Sequence, residues 1–454
     1  MTDLTDYTIK LAQKAGATEV ITRLIYSPDY QIRFSNSNID IAKKWDTSLL
    51  EVFIALGRKT TQIDIQDPNE KKIEATIKRA IGFAKKLPDS QMFAGLEKEV
   101  KKHQLVDGLY DKNVENLFET APDMVNVAIN ASLEAGAKRV AGAMYFGSYK
   151  INVGTGTGFK GLFDSSYYRL TIRSFVDNES SGQDIVVGRN LSGLDKKFAE
   201  AGKYAGKLAK MAVGGKQGKA GKYDLIMSPT VAANILGQVT DGANPLLMFM
   251  GMSPLGDHFG EQIAPTKFDV TDDPHVSEGL GSKPFDVEGT PTMKTPIIKD
   301  GVLVGLVHNT TSGKMMQTES SGNSELVNFG MGSKILAPAP TNMVYNNGDQ
   351  SFDEIIADSK KPTIYVTSNW YTRFTNQLEG EFSSIPRDGM FLIEDGEIKK
   401  PVRKLRVTDK LLRMTRNITA VGNDRKQINW WEVETPTFIP TIKVADCNIT
   451  AATQ

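Results

Sequence analysis

Apolar residues recur at helical spacing at Leu4, Tyr7, Leu11 and Ala15, and Gly16 follows as a stop, which predicts an amphipathic helix over 3–15. β-Branched and aromatic residues then concentrate in 19–26, 30–35 and 49–56, the lengths of ordinary strands. Ile73, Ile77 and Ile81 return to helical spacing until Pro88. The same order runs a second time: a helix over 114–135, strands over 140–153 and 167–176, and a helix over 196–213. Ala15-Gly16-Ala17, Val20 and Tyr26 are echoed by Ala135-Gly136-Ala137, Val140 and Phe146 at a shift of 120 residues, which points to an internal duplication.

Residues 214–222, GGKQGKAGK, hold no apolar side chain larger than alanine and read as a flexible linker. Beyond it a short strand (223–227) leads to Ser228 and Pro229, an N-cap followed by proline at the first helical position, so a helix should run to about Asp241. From Lys267 onward short strand patterns alternate with turn pairs: Asp300-Gly301, Asn347-Gly348, Asp388-Gly389 and Asp395-Gly396. The expected fold class is α+β. An N-terminal α/β domain with the duplication spans 1–213, the linker 214–222, and a C-terminal, mainly antiparallel β domain 223–454.

A length of 454 residues fits two or three domains. Lys plus Arg and Asp plus Glu both number 54, and this neutrality removes the general electrostatic case for nucleic acid or an anionic membrane as partner. The longest apolar run, Leu246 to Met250, is far short of the roughly 20 residues of a membrane span, and the first residues carry acids where a signal peptide would be basic. A cytoplasmic protein is expected. The single cysteine, Cys447, excludes an intrachain disulfide and a cysteine-built zinc site.

Gly154, Gly156, Gly158 and Gly161 suggest a phosphate loop, but no Lys-Ser or Lys-Thr closes it and a strand pattern follows, so a hairpin is the better reading. The lysines from Lys203 to Lys222 read as a solvated helix face and linker. His258 with Glu261, and Asp272-Asp273 with His275, bring candidate metal ligands close in sequence, yet Gly256, Gly260 and Pro265 argue against the helix on which such pairs converge. His308 and Cys447 lie in apolar strand patterns and read as packing residues. No Gly-X-Ser-X-Gly motif is present.

One long succession rises above these. FGEQIAP (259–265), TDDP (271–274), FDVEGTPT (285–292), PIIKDGVL (296–303), HNTTSGKM (308–315), ESSGNSE (319–325), APTNMVY (339–345), DGMFLIEDGEIKKPV (388–402) and AVGNDRK (420–426) follow one another in an order and spacing that resembles the TldD/PmbA family of metallopeptidases, historically called modulators of DNA gyrase. AGATEV, AKKLPD (84–89) and YDLIMSP (223–229) extend the resemblance over nearly the whole chain. It implies two classes. One carries His-Glu-X-X-X-His on the first helix of the C-terminal domain and a later cysteine, together holding zinc, with the glutamate as general base. The other lacks them. Here the helix reads SPTVAANILGQVTDGA, and the motif aligns best with Leu236, Gly237 and Asp241, none of them histidine or glutamate. RKQINWWEVETP runs through where the cysteine loop would be, and Cys447 lies beyond it. The chain thus resembles the TldE/PmbA class.

The resemblance implies a non-catalytic subunit with no metal of its own, in a heterodimer with a TldD-like subunit that bears His-Glu-X-X-X-His and zinc, acting on unfolded or extended peptides; alone, the chain is left the option of a homodimer. Asp286, Glu288, His308 and Asn323 are the candidate peptide-binding groups, with a tight turn ending at Gly289 as the plainer role for the first two. Two other readings stand beside this one: a self-sufficient hydrolase with a non-standard metal site built from His258, His275 or His308, and a regulator that binds gyrase or nucleic acid.

Overall fold

The computed structural model describes residues 3–328 and 334–451. Its N-terminal half is built twice on one plan. The first copy runs α1 (Leu4–Lys14), β1 (Glu19–Ser35), β2 (Asn38–Leu56), β3 (Lys59–Gln66), α2 (Glu70–Ala84); after a 3-10 turn, Lys112–Asn116, the second runs α3 (Leu117–Glu134), β4 (Arg139–Thr155), β5 (Lys160–Phe175), β6 (Ser181–Gly188), α4 (Leu194–Met211). The six strands form one antiparallel sheet in the order β3-β2-β1-β4-β5-β6, so the copies meet at β1 and β4 about an approximate two-fold axis. Both central strands are 17 residues long and begin 120 positions apart, at Glu19 and Arg139. The glycines that stop α1 and α3 share a left-handed backbone, with φ +104° at Gly16 and +112° at Gly136.

Two expectations are corrected here. Segments 19–26 and 30–35 are one strand, not two. Pro28 has no N–H to give, and neither it nor Ser27 pairs with β4, while both still face β2 across the hairpin. Opposite, Gly147 leaves room for the proline carbonyl, which a Cβ there would meet at 2.5 Å. The second correction concerns 214–222. Lys216–Gln217 forms β7 beside Glu397–Arg403, and β8 (Gly221–Met227) begins inside the supposed linker, with Gly221 and Lys222 paired to Ile449 and Asn448. Small residues here allow close backbone pairing, since their N–H and C=O groups are the only recognition needed.

Alternation along the N-terminal strands sorts the two faces. Val20, Leu50, Val52 and Ile54 in one half, and Met144, Phe146, Leu170 and Ile172 in the other, pack under the helices. The odd-numbered positions turn toward the C-terminal half: Ile21 and Phe53 pack with Val287 and Leu326, and Val153 with Phe285. Ion pairs cross the same boundary, Arg173 Nε to Asp388 Oδ1 at 2.6 Å, Lys334 to Glu51 at 2.5 Å, and Arg23 to Glu325.

The C-terminal half holds two further large sheets. In one, β8 lies between Ile442–Ala451 (antiparallel) and Thr363–Val366 (parallel); the other includes Lys426–Trp430, Val433–Ile439, Met343–Tyr345 and Val270–Asp272. Most neighbours are antiparallel, as expected. Asp300-Gly301 and Asp395-Gly396 close hairpins with both residues at positive φ, whereas Asn347-Gly348 and Asp388-Gly389 lie in connections between strands that do not pair. Helix α5 (Pro229–Asp241) is capped by Ser228, whose Oγ accepts from Val231 N at 3.4 Å, and begins with proline as the sequence predicts. It touches strands of both sheets, and this double cover buries it almost all round. Among the described residues, no helix is long and apolar enough to cross a membrane.

Candidate functional site

A polar cavity of about 320 Å³ lies against the last turn of α5, where the degenerate motif aligns. Gly237 and Asp241, one turn apart, share this wall with Gln238; Arg373, Trp431 and Glu432 stand opposite. Leu236 does not reach it. A step of about 100° along the helix turns that side chain into the hydrophobic core, where it is 1% exposed, so of the three aligned positions the structure brings only Gly237 and Asp241 to the opening. Burial pushes the Asp241 carboxyl up to about 6, against a hydrogen bond from Thr435 Oγ1 at 3.1 Å that works the other way. Arg373 is engaged by Glu432 at 3.3 Å.

A zinc site of the kind the sequence comparison implies needs imidazole or thiolate donors converging on a tetrahedron. The residues of this cavity do not fit it: one carboxyl projects from the helix, and the lining has no histidine or cysteine. Cys447 is fully buried, its thiol pushed up to about 12 by burial, and is no part of that lining. Nor do the histidines assemble elsewhere. His258 Nδ1 pairs with Glu261 at 2.6 Å, His275 Nε2 with Thr292 Oγ1 at 3.1 Å and His308 Nδ1 with Ser312 Oγ at 3.3 Å, each among separate neighbours. Among the described residues, no group of three or more His, Cys, Asp or Glu could hold a metal ion.

Asp286, Glu288, His308 and Asn323 form one buried polar layer. Asp286 Oδ1 accepts from Glu288 N (2.9 Å) and Thr290 N (3.0 Å), closing a turn on Gly289 at φ +82°, and its Oδ2 accepts from Ser324 N at 2.9 Å. Glu288 Oε2 takes the Glu97 N–H at 3.2 Å. The Asn323 backbone N–H donates to the His308 carbonyl at 3.3 Å, and its side chain donates to Asp272 Oδ2 at 2.6 Å. Burial pushes the Asp286 and Glu288 carboxyls up, the proximity of Glu288 adding to the rise at Asp286, and it holds the His308 imidazole down. The layer does not surround one opening. Asp286 lines the large cavity described next, His308 lines a separate one of about 500 Å³, and Glu288 and Asn323 line neither.

A larger cavity, about 780 Å³, lies between the odd-numbered face of β1, β4 and β5 and the C-terminal half. Ile25, Ile151 and Phe163 give it apolar walls; Tyr149 and Tyr167 stack with ring centroids 5.2 Å apart; Arg23, Arg169 and Arg189 bring charge. Sequence reasoning misses these residues. The one signal available is the alternation in β5, where Tyr167, Arg169, Thr171 and Arg173 share a face that a two-layer reading would assign to solvent.

With this geometry in place, the similarities to known proteins become specific. Residues 220–451 match the family model described as the PmbA/TldA metallopeptidase C-terminal domain. A metalloprotease of Methanothermobacter thermautotrophicus is 26% identical over 226 residues, 50% of this chain and 48% of that protein, so the chain aligns with about half of that relative's length. A PmbA homologue from Haemophilus influenzae, also named a metalloprotease, is 21% identical over 92% of this chain and 90% of its own. The crystal structure of TldE from Thermococcus kodakarensis superposes with a TM-score of 0.83 at 20% identity, covering 98% of this chain and 99% of that one, which establishes a common fold. The match over the whole C-terminal half, the part that carries α5 and its cavity, places the chain in the PmbA/TldD family of metallopeptidases.

Proposed function

We propose that this chain is the non-catalytic, metal-free subunit of a heteromeric zinc metallopeptidase that acts on unfolded or extended peptides, and that a TldD-like subunit bearing His-Glu-X-X-X-His supplies the zinc. The observation that carries this reading is the α5 cavity. It lies against the helix that aligns with the family's metal helix, which carries Leu236 and Asp241 where the two histidines align and Gly237 where the glutamate does, and water activation by zinc needs ligands that this set lacks. A cavity of about 780 Å³ with apolar side chains in its walls supports the peptide part of the reading, because a peptide can seat its side chains against such walls.

The test is a comparison of the chain alone with the chain co-expressed beside a His-Glu-X-X-X-His relative from the same genome. Expected are well under one zinc per chain and no digestion of an unfolded peptide when alone, and zinc-dependent digestion by a co-purifying pair. Stoichiometric zinc retained by the lone chain through chelator dialysis, with digestion, would overturn the proposal.

A further inference from the structure

Three arginines line the large cavity, and they are not held alike. Arg23 lies between two carboxylates, Glu51 at 2.5 Å and Glu325. Arg189 is 3% exposed and spends its N–H groups on backbone carbonyls, among them Gly279 and Leu280 at 2.8 Å each and Ser166 at 2.9 Å. Arg169 has neither arrangement. Its guanidinium donates one hydrogen bond, to the Asn429 amide oxygen, its Nε is enclosed with no acceptor, and among the described residues no carboxylate lies within 4 Å of it. The groups that face it are the phenols of Tyr145, Tyr149 and Tyr167.

A half-buried guanidinium without a counter-charge is costly, since desolvation is not repaid by a partner, and burial accordingly disfavours the Arg169 cation. Arg23 shows that this cavity can furnish acids where charge is to be neutralised from within. At Arg169 the acceptor has to come from outside. A guanidinium edge matches the two oxygens of a carboxylate, and a single unbalanced positive charge matches a monoanion. Ile25, Ile151 and Phe163, six positions away along the paired strands, would accept an apolar side chain further along the same extended peptide.

We propose that the cavity between the two halves is a receptor for a peptide carboxylate, with Arg169 as its anchor. This deepens the peptide-binding reading above and rests on it. In function, the subunit would hold the carboxylate-bearing end of an extended peptide and leave the rest free to reach the partner's zinc.

The experiment uses fluorescence anisotropy with three labelled, unstructured peptides: one sequence with a free carboxyl terminus, the same sequence as carboxyl-terminal amide, and that amide with its last residue replaced by glutamate. Each is titrated with the full chain alone and with the co-purified pair. The free acid should bind at least about 10-fold tighter than the plain amide, and Arg169→Gln should erase that ratio while Arg169→Lys keeps part of it. If the glutamate amide binds as well as the free acid, the receptor stands and takes side-chain carboxylates too; if it binds like the plain amide, the receptor reads chain termini. Equal binding of acid and plain amide by wild type overturns the carboxylate receptor and leaves peptide binding intact. Failure of all three peptides to bind defeats the peptide reading itself. Because the amidation arm alters only the ligand, it decides the matter even should the Arg169 variants fail to fold.

Discussion

In the cavity over α5, Asp241 is a carboxyl without a counter-charge; in the cavity between the two halves, Arg169 is a guanidinium without one. A buried carboxyl can shed its charge by taking up a proton, and Asp241, raised to about 6, is positioned to do so. An arginine has no such exit, because its pKa is too high for protonation to change near neutrality. Asp241 can therefore neutralise itself, whereas Arg169 keeps its charge.

The largest effect is expected from trying to turn the first cavity back into a metal site. L236H/G237E/D241H restores the family motif on paper, yet Leu236 points into the core, so its replacement puts an imidazole among aliphatic side chains. A loss of about 3–5 kcal/mol in urea unfolding is expected, without bound zinc. Stoichiometric zinc on a folded triple mutant would show that α5 presents different faces than described.

Next in size is a contrast within the second cavity. Arg23→Met leaves Glu51 and Glu325 short of a partner, for which a cost of about 3 kcal/mol is expected, whereas Arg169→Met removes a charge nothing balances and should leave the free protein unchanged within about 1 kcal/mol, or more stable. Equal losses from the two would mean that Arg169 has an acidic partner inside the protein. Burial pushes the Glu325 carboxyl up, but Arg23 and Lys283 outweigh it and hold it at about 2. Its contribution to stability is therefore present above the unfolded carboxyl pKa and lost as pH falls toward 2.

For Asp241 the sign is reversed. The folded pKa lies above the ordinary value of 3.8, so its contribution is present below that pH and lost as pH rises to about 6. Asp241→Asn should thus match wild type at pH 3.5 and exceed it by roughly 1–3 kcal/mol at pH 8. A difference independent of pH would remove the carboxyl as its cause. The smallest effect is Gly237→Ala. A Cβ there meets nothing within 4 Å, so relief of glycine's unfolded-state entropy should stabilise by about 0.5–1 kcal/mol; a loss instead would mean the cavity wall is closed at that point.

Much of the architecture is legible in the chain. The AGA repeat and the 120-residue shift mark the duplication, because both helix stops need a glycine in the left-handed region. Ser228-Pro229 marks the start of α5 through capping chemistry that acts within four residues. Long-range placement is less legible. Helix α5 is covered on two sides, so its apolar periodicity does not reveal which strip opens on a cavity. Arg169 is hidden for the opposite reason: its alternating strand shows a polar face, and only the arrival of the second half makes that face an interior. Asp286 and Glu288 stand out by composition, but the turn they build is what the structure displays most directly.

The seam between β1 and β4 carries a consequence for folding. It pairs segments about 120 residues apart, so the centre of the sheet closes a long loop and forms late relative to the β1–β2 and β4–β5 hairpins, which are local. Until then each half-sheet presents a bare 17-residue edge. Such edges template pairing with other chains. A nascent chain that has emerged only through α2 exposes β1 in this way, and two such chains can satisfy each other's β1 edge before β4 is made, so the same symmetry that completes the monomer also offers a route to swapped dimers and aggregates during synthesis.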